Sequence, residues 1–262
     1  MHAVWNLLVK SSDDQLVAAW TVVAGASILA LPVLAFTGLP GRSVWDLILI
    51  STGVQVAYVL TLAAAYRVGD LSFVYPLARG TSPVLVSIAG VALLGDEISA
   101  LGWIGVLTVT GALTLLAWRR PDRSGLALAL ATGVLISIYT SVDAAAVREE
   151  GSALPVIAAE FVLLAIALGL VVLIMRGPGS MLGMVSADWR KAALGGFATG
   201  TAYLLVMIAA LSAPVGLVSG VRETSVLIAV IASRLVLHEE VTRSQIGTVA
   251  AAVAGIALIA MG

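Results

Sequence analysis

Nine apolar runs, each long enough to cross a hydrocarbon core of roughly 30 Å, leave this chain of 262 residues almost no polar length between them. They fall at approximately 15–36, 45–66, 71–94, 99–118, 125–146, 153–175, 192–212, 214–237 and 243–261. Short breaker or charged connectors separate them, such as Thr37-Gly38-Leu39-Pro40-Gly41, Arg119-Arg120-Pro121-Asp122-Arg123 and Gly177-Pro178-Gly179. No water-soluble globule needs such a pattern, in which 60% of residues are apolar, 11% are charged and the mean hydropathy is +1.09. The expected fold class is an all-α, multi-pass membrane protein. A net charge of −1 leaves no basic surface for nucleic acid, and the absence of cysteine excludes disulfides, thiolate metal sites and a cysteine nucleophile. His2 and His238 share no ligand spacing with each other or with a carboxylate pair, so neither metal nor cofactor is expected.

The runs repeat. The stretch from Arg79 aligns with the stretch from Arg222 at a constant offset of 143 and without a gap, turning Arg79-Gly-Thr81-Ser82 into Arg222-Glu-Thr224-Ser225. In each copy a Glu follows 18 residues after the Arg (Glu97, Glu240), and Ser99 or Thr242 then opens the next helix. Tyr58 and Tyr203 begin comparable stretches. At the front, Lys10 aligns with Arg148 and Trp5 with Asp143, while residues 125–138 have no counterpart, so the first helix reads as a stub lacking about fourteen residues. The expected plan is ten helices in two five-helix repeats, 1–120 (truncated at its start) and 121–262. An odd number of helices per repeat inverts the second copy, the design by which many secondary transporters build two equivalent gates around one central site. Alternation of the loops puts nine Lys and Arg on one face against Arg42 and Arg148 on the other, which predicts a C-terminus outside the cytoplasm.

Six charged residues fall inside the spans away from their ends: Arg79, Asp143, Glu160, Arg222, Glu223 and Arg234. Each costs about 2.5–3.5 kcal/mol at a helix centre on insertion scales, so each must face a cavity, a partner or an interface. Arg234, about one turn from His238, reads as a snorkelling side chain. Depth and alternation allow Asp143, Glu160, Arg222 and Glu223 to share one cluster, with Arg79 as its inverted counterpart. Two accounts stand open: groups that hold an ionised solute or take up a proton, and buried salt bridges that pin helices, for example Arg222 with Glu160. Thr81, Ser82, Thr224 and Ser225 can bond a ligand or the carbonyl one turn back. Pro76 and Pro83 frame Arg79 and suit a hinge or a solute contact. Glu97 and Glu240 sit at helix ends beside Ser99 and Thr242, whose hydroxyls can cap the next helix, and both capping and gating are open. Tyr66, Trp20, Trp45, Trp103, Trp118 and Trp189 sit where interfacial belts form, whereas Tyr58, Tyr139 and Tyr203 lie deeper and are cavity candidates. Phosphate loops, nucleophile elbows and His-Glu-x-x-His helices are absent, so neither ATP use nor covalent catalysis is expected.

The opening His2-Ala3-Val4-Trp5-Asn6-Leu7-Leu8-Val9-Lys10, the matching Tyr139-Thr-Ser-Val-Asp143 with Arg148, and two copies ending in Glu-bearing turns before a Gly/Ala-rich helix resemble the EamA type of the drug/metabolite transporter superfamily. The resemblance spans essentially the whole chain. It implies two inverted five-helix repeats, a central cavity lined by helices one to four and six to nine, and alternating-access export or exchange of amino acids, metabolites or drugs. It places Trp5, Asn6, Arg79, Tyr139, Asp143, Glu160, Tyr203 and Arg222 on cavity-lining helices. This chain departs from the family in its stub-like first helix and in a charge pattern favouring an external C-terminus, since family members usually keep both termini in the cytoplasm.

The expected function is therefore a secondary transporter of a small polar or amphipathic metabolite, in a bacterial plasma membrane, with protons as the candidate coupling ion. Its expected partners are the solute, protons and the lipid bilayer, and Trp5, Asn6, Tyr58, Arg79, Tyr139, Asp143, Glu160, Tyr203, Arg222, Glu223 and Thr224 are the cavity candidates. The alternatives are a membrane-embedded enzyme acting on a lipid-linked substrate, with Arg79 and Arg222 on a phosphate, and a non-transporting scaffold.

Overall fold

The structure, a computed structural model, describes residue 12 and residues 14–69, 71–118, 125–225 and 243–261. Trp5, Asn6, Arg234, His238, Glu240 and Thr242 lie outside the described residues. Nine α-helices and one 3₁₀ turn, with no strand, make up the described chain. They are α1 (Gln15–Thr37), α2 (Trp45–Val68, entered through the 3₁₀ turn Arg42–Val44), α3 (Leu71–Leu93), α4 (Ala100–Trp118), α5 (Leu126–Glu150), α6 (Ala153–Arg176), α7 (Pro178–Ala210), α8 (Val215–Arg222) and α9 (Arg243–Met261). Seven segments among the described residues are long and apolar enough to cross a membrane. The chain is an integral, multi-pass, all-α membrane protein.

The helix ends follow local chemistry. Asp14 caps α1, its carboxylate accepting from the amides of Leu16 (3.0 Å) and Val17 (3.2 Å). Ser99 does the same for α4 through the amide of Gly102 at 3.0 Å, so the serine beside Glu97 is a cap. α1 and α6 close on Gly38 and Gly177, whose φ of 79° and 76° lie in the left-handed region and whose amides reach back to the carbonyls of Leu34 and Leu173. Helix α7 begins at Pro178 rather than near 192, because Gly177 ends α6 and the proline, with its φ pre-set, occupies the first helical turn. The segment that follows carries Asp188, Arg190 and Lys191. Those charges shorten the apolar run without breaking the helix.

The chain divides into two compact units, each drawn from both halves of the sequence: residues 1–63 with 142–211, and residues 64–141 with 212–262. Helices α2 and α5 run from one unit into the other. In the first unit α1 packs on α6 and α7. A Cβ at Gly196 of α7 would lie 2.4 Å from the backbone nitrogen of Ala26, so only glycine permits this approach. The Trp20 indole donates to the carbonyl of Ala165 at 3.1 Å across the same packing. In the second unit α4 and α9 cross at Gly105 and Gly255, where a Cβ on Gly105 would fall 2.6 Å from the Gly255 carbonyl oxygen. Val106, Val109, Leu113, Ile259 and Tyr75 fill the space beside that crossing. The outward faces stay apolar, with Ile104, Leu107, Ile166 and Leu170 each more than half exposed, as lipid contact requires.

Gly196→Ala is expected to lower stability by about 1–3 kcal/mol through overpacking against backbone, read as thermal or SDS denaturation in detergent; an unchanged transition would remove the close-packing account. Asp14 gives a pH signature. Partial burial pushes its carboxyl upward, but the Arg176 ion pair and the amides of Val17 and Leu16 outweigh it and hold it below the usual carboxylate range. Stability from this cap is therefore complete above the unfolded value of about 3.9 and is lost as pH falls through the lowered folded value. Being partly exposed, it contributes no more than about 1 kcal/mol. Asp14→Asn should flatten that portion of the acid-denaturation curve, and a wild-type curve in the variant contradicts the assignment.

Candidate functional site

Two buried polar clusters stand out among the described residues, one within each unit. The first collects around Glu160, two turns into α6. Ser51 and Gln55, four residues apart on α2, present adjacent side chains to it. The Ser51 hydroxyl donates to Glu160 Oε1 at 2.6 Å, the Gln55 amide donates to the same oxygen, and Gln55 also reaches Ser51 Oγ at 3.3 Å. Asp143, from the second half of α5, is a hydrogen-bonding neighbour of Glu160. The Tyr203 hydroxyl of α7 donates to Asp143 Oδ2. Glu160 is 3% exposed and Asp143 1%. Hydrogen bonds of this kind, with one ionisable partner, are each worth about 1.5–3 kcal/mol, and in hydrocarbon they replace the lost water.

Phe161, next to Glu160, meets the Tyr203 ring edge-on, with centroids 6.4 Å apart and planes at 85°. It also lines an apolar hollow of about 260 Å³ between α1, α6 and α7, with Ala30, Val33, Ile157, Phe197 and Leu204 among its walls. The polar cluster and the hollow thus share an aromatic wall.

The second cluster lies between α3 and α8. The helices approach closely because Gly216 faces Ser87: a Cβ on Gly216 would fall 2.1 Å from the serine oxygen. Arg79 Nε donates to Glu223 Oε2 at 2.9 Å, with side chains 8% and 1% exposed. Arg222 is equally deep, at 8%. Tyr75, Arg79 and Ser82 follow one face of α3 at helical spacing, as do Ser219, Arg222 and Glu223 on α8. The hydroxyls of Ser82 and Ser219 are buried without a hydrogen-bond partner among the described residues. Helix α3 runs unbroken through Pro76 and Pro83, yet Pro83 has no amide to give to the carbonyl of Arg79.

The cavity candidates thus divide. Asp143, Glu160 and Tyr203 meet in the first unit, and Arg79 meets Glu223 in the second. The depth argument joins Glu160 with Arg222, whereas the contacts of Glu160 run to Ser51, Gln55 and Asp143. Tyr139 is 7% exposed on α5, and Tyr58 is half-buried on α2. Thr224 bonds back to the Val221 carbonyl at 2.8 Å, and Thr81 to those of Leu77 and Ala78. Tyr66, placed by sequence in an interfacial belt, is instead 1% exposed. Sequence reasoning misses Ser51, Gln55 and Asp96. The last accepts from the Val215 amide at 2.8 Å, capping α8 from another element because Pro214 offers no side-chain cap.

The family model described as "EamA-like transporter family" matches residues 123–261. Twenty-eight solved chains match. One of them, described only as "Crystal structure of protein", has a TM-score of 0.78 at 15% identity and covers 99% of this chain and 94% of its own, a likeness of fold alone. No curated protein matches the chain.

Glu223→Leu should cost about 3–5 kcal/mol, since it leaves the Arg79 guanidinium buried without its carboxylate. Adding Arg79→Met should recover at least half of that loss. Measured by SDS denaturation, purely additive losses in the double variant would show that the two side chains do not act as a pair.

Proposed function

Because the chain belongs to the EamA-like transporter family, we propose that it is a secondary transporter that moves a small polar or amphipathic metabolite across a bacterial plasma membrane by alternating access coupled to protons. The observation that carries this reading is the contact of Asp143 with Glu160 inside the membrane-spanning helices. Two carboxyls so placed repel when both are ionised, and a proton shared between them relieves that repulsion. Such a pair exchanges that proton whenever one side of the protein opens to water. Ser51, Gln55 and Tyr203 supply donors that can pass from the carboxyls to the polar groups of a solute. The hollow behind Phe161 supports a solute with a small apolar part.

The duplicated sequence supports the two-sided cycle. Inverted copies make the inward-open and outward-open forms close to equal in energy, so a few kcal/mol from one proton and one solute suffices to drive the exchange. The lack of a phosphate loop supports an ion gradient rather than ATP as the energy source.

Protein reconstituted in liposomes should move members of a labelled amino-acid and drug panel faster when a pH gradient is imposed. Glu160→Gln and Asp143→Asn should each lower gradient-driven flux at least tenfold while remaining monodisperse in detergent. Absence of flux for every member of the panel, or gradient-driven rates at the wild-type level in both variants, would overturn the reading.

A further inference from the structure

The apolar hollow of about 260 Å³ belongs wholly to the first unit. Its walls run from Ala26 to Val33 on α1, from Leu154 to Phe161 on α6 and from Gly196 to Leu204 on α7. On α1 that is the stretch from the middle of the helix to near its Gly38 end, roughly 11 Å along the axis and about a third of the hydrocarbon thickness. The hollow therefore lies within one leaflet, the one in which α6 begins. Its inner surface is built from Ala30, Ile157 and Ala158, which are buried, and from Gly200. Its rim is formed by Leu29, Leu154 and Phe197, which are 44%, 39% and 58% exposed. Exposed apolar side chains on membrane-spanning helices meet lipid, so the hollow opens sideways into the bilayer. Among the described residues of the wall, Thr201 alone carries a polar side chain.

Such a recess selects its occupant by what adjoins it. Water needs about two to four polar partners, which these walls do not offer. Walls without a neighbour forfeit their dispersion contacts, and the medium at the rim is hydrocarbon. We infer that the hollow is a binding site for one acyl chain of a bilayer phospholipid, which enters between Leu29 of α1 and Phe197 of α7 and lies along α1. The size agrees: an apolar cavity of about 150 Å³ takes benzene, so about 260 Å³ takes about ten chain carbons, part of a single acyl chain. At its inner end the chain rests on Phe161, whose ring meets that of Tyr203, the donor to Asp143. The inference goes beyond the transporter reading and requires only that these helices span a bilayer. Within that reading, the apolar part of a solute takes the hollow by displacing the chain.

The test places wild-type protein, without solute, in vesicles of phosphatidylcholine that carries a diazirine in the middle of one acyl chain. After irradiation, adducts are mapped by mass spectrometry of peptides. Ala30 and Ile157 are 7% and 2% exposed, so a chain reaches them only from within the hollow, whereas Ile166 and Leu170 report ordinary lipid contact. Adducts on Ala30 or Ile157 should be at least as frequent as those on Ile166. Gly200→Leu should fill the hollow, because a Cβ there meets Ala26 and Phe161 at 3.6 and 3.9 Å, ordinary contact, and the rest of the side chain extends into the space. It should lower the adducts on Ala30 and Ile157 by about fivefold or more, since filled space at interior density leaves no room for a chain, and leave those on Ile166 unchanged. Adducts confined to exposed residues in wild-type protein would overturn the proposal, and that comparison needs no variant to fold. Adducts on Ile157 that persist at the wild-type level in Gly200→Leu would overturn it too. So would adducts there that arise only when the protein is diluted below one copy per vesicle, which would assign the face to a second copy of the chain. With no solute in the assay, failure here leaves the transporter reading intact, and absence of flux leaves this proposal intact.

Discussion

Hydrocarbon supplies no hydrogen bonds, so every ionisable group carried into it must find its partners on neighbouring helices. This chain meets that demand in two ways. Around Glu160 the partners are neutral donors and a second carboxyl: Ser51, Gln55 and Asp143, the last held by Tyr203. Around Glu223 the partner is a cation, Arg79, with Arg222 beside it. The two chemistries differ in what they can do. A carboxyl pair with hydroxyl and amide donors can gain or lose a proton with little rearrangement. A buried ion pair instead ties two helices together, since removing either partner leaves the other charge uncompensated.

The second cluster, and the packing within each unit, depend on close helix approach that the sequence encodes in glycine. Gly196 admits the backbone of α1, Gly216 admits α3, and Gly105 with Gly255 lets α4 and α9 cross at backbone contact. In lipid no hydrophobic force drives helices together, so close approach and the polar contacts it allows provide much of the cohesion. Large apolar residues such as Ile166 and Leu170 are left to the outside. This inversion of soluble-protein patterning explains why the helices are apolar on nearly every face.

Span positions were legible in the sequence, since hydropathy over twenty residues is set by the bilayer and not by tertiary detail. The runs at 15–36, 45–66 and 153–175 fall within a residue or two of α1, α2 and α6. The start of α7 was not, because charge lowers hydropathy without lowering helix propensity. Among site residues, the charges announced themselves by their cost in oil, which is how Arg79, Asp143, Glu160, Arg222 and Glu223 were found. Their partners were hidden by that same logic. Ser51 and Gln55 carry no formal charge, and only their four-residue spacing on a polar edge of α2 gives them away in hindsight. The pairing of Arg79 with Glu223 joins residues 144 apart in sequence, and depth alone cannot tell it from a pairing with Asp143 or Glu160.

The central claim is that the carboxyl pair of Asp143 and Glu160 exists to carry a proton while solute moves. Proton flux measured with a pH dye trapped inside proteoliposomes, while a transported solute is run down its own gradient and no pH gradient is imposed, tests this most directly. The account predicts a pH change in the lumen that follows solute flux and vanishes in Glu160→Gln. Solute moving at full rate with a constant luminal pH would contradict it.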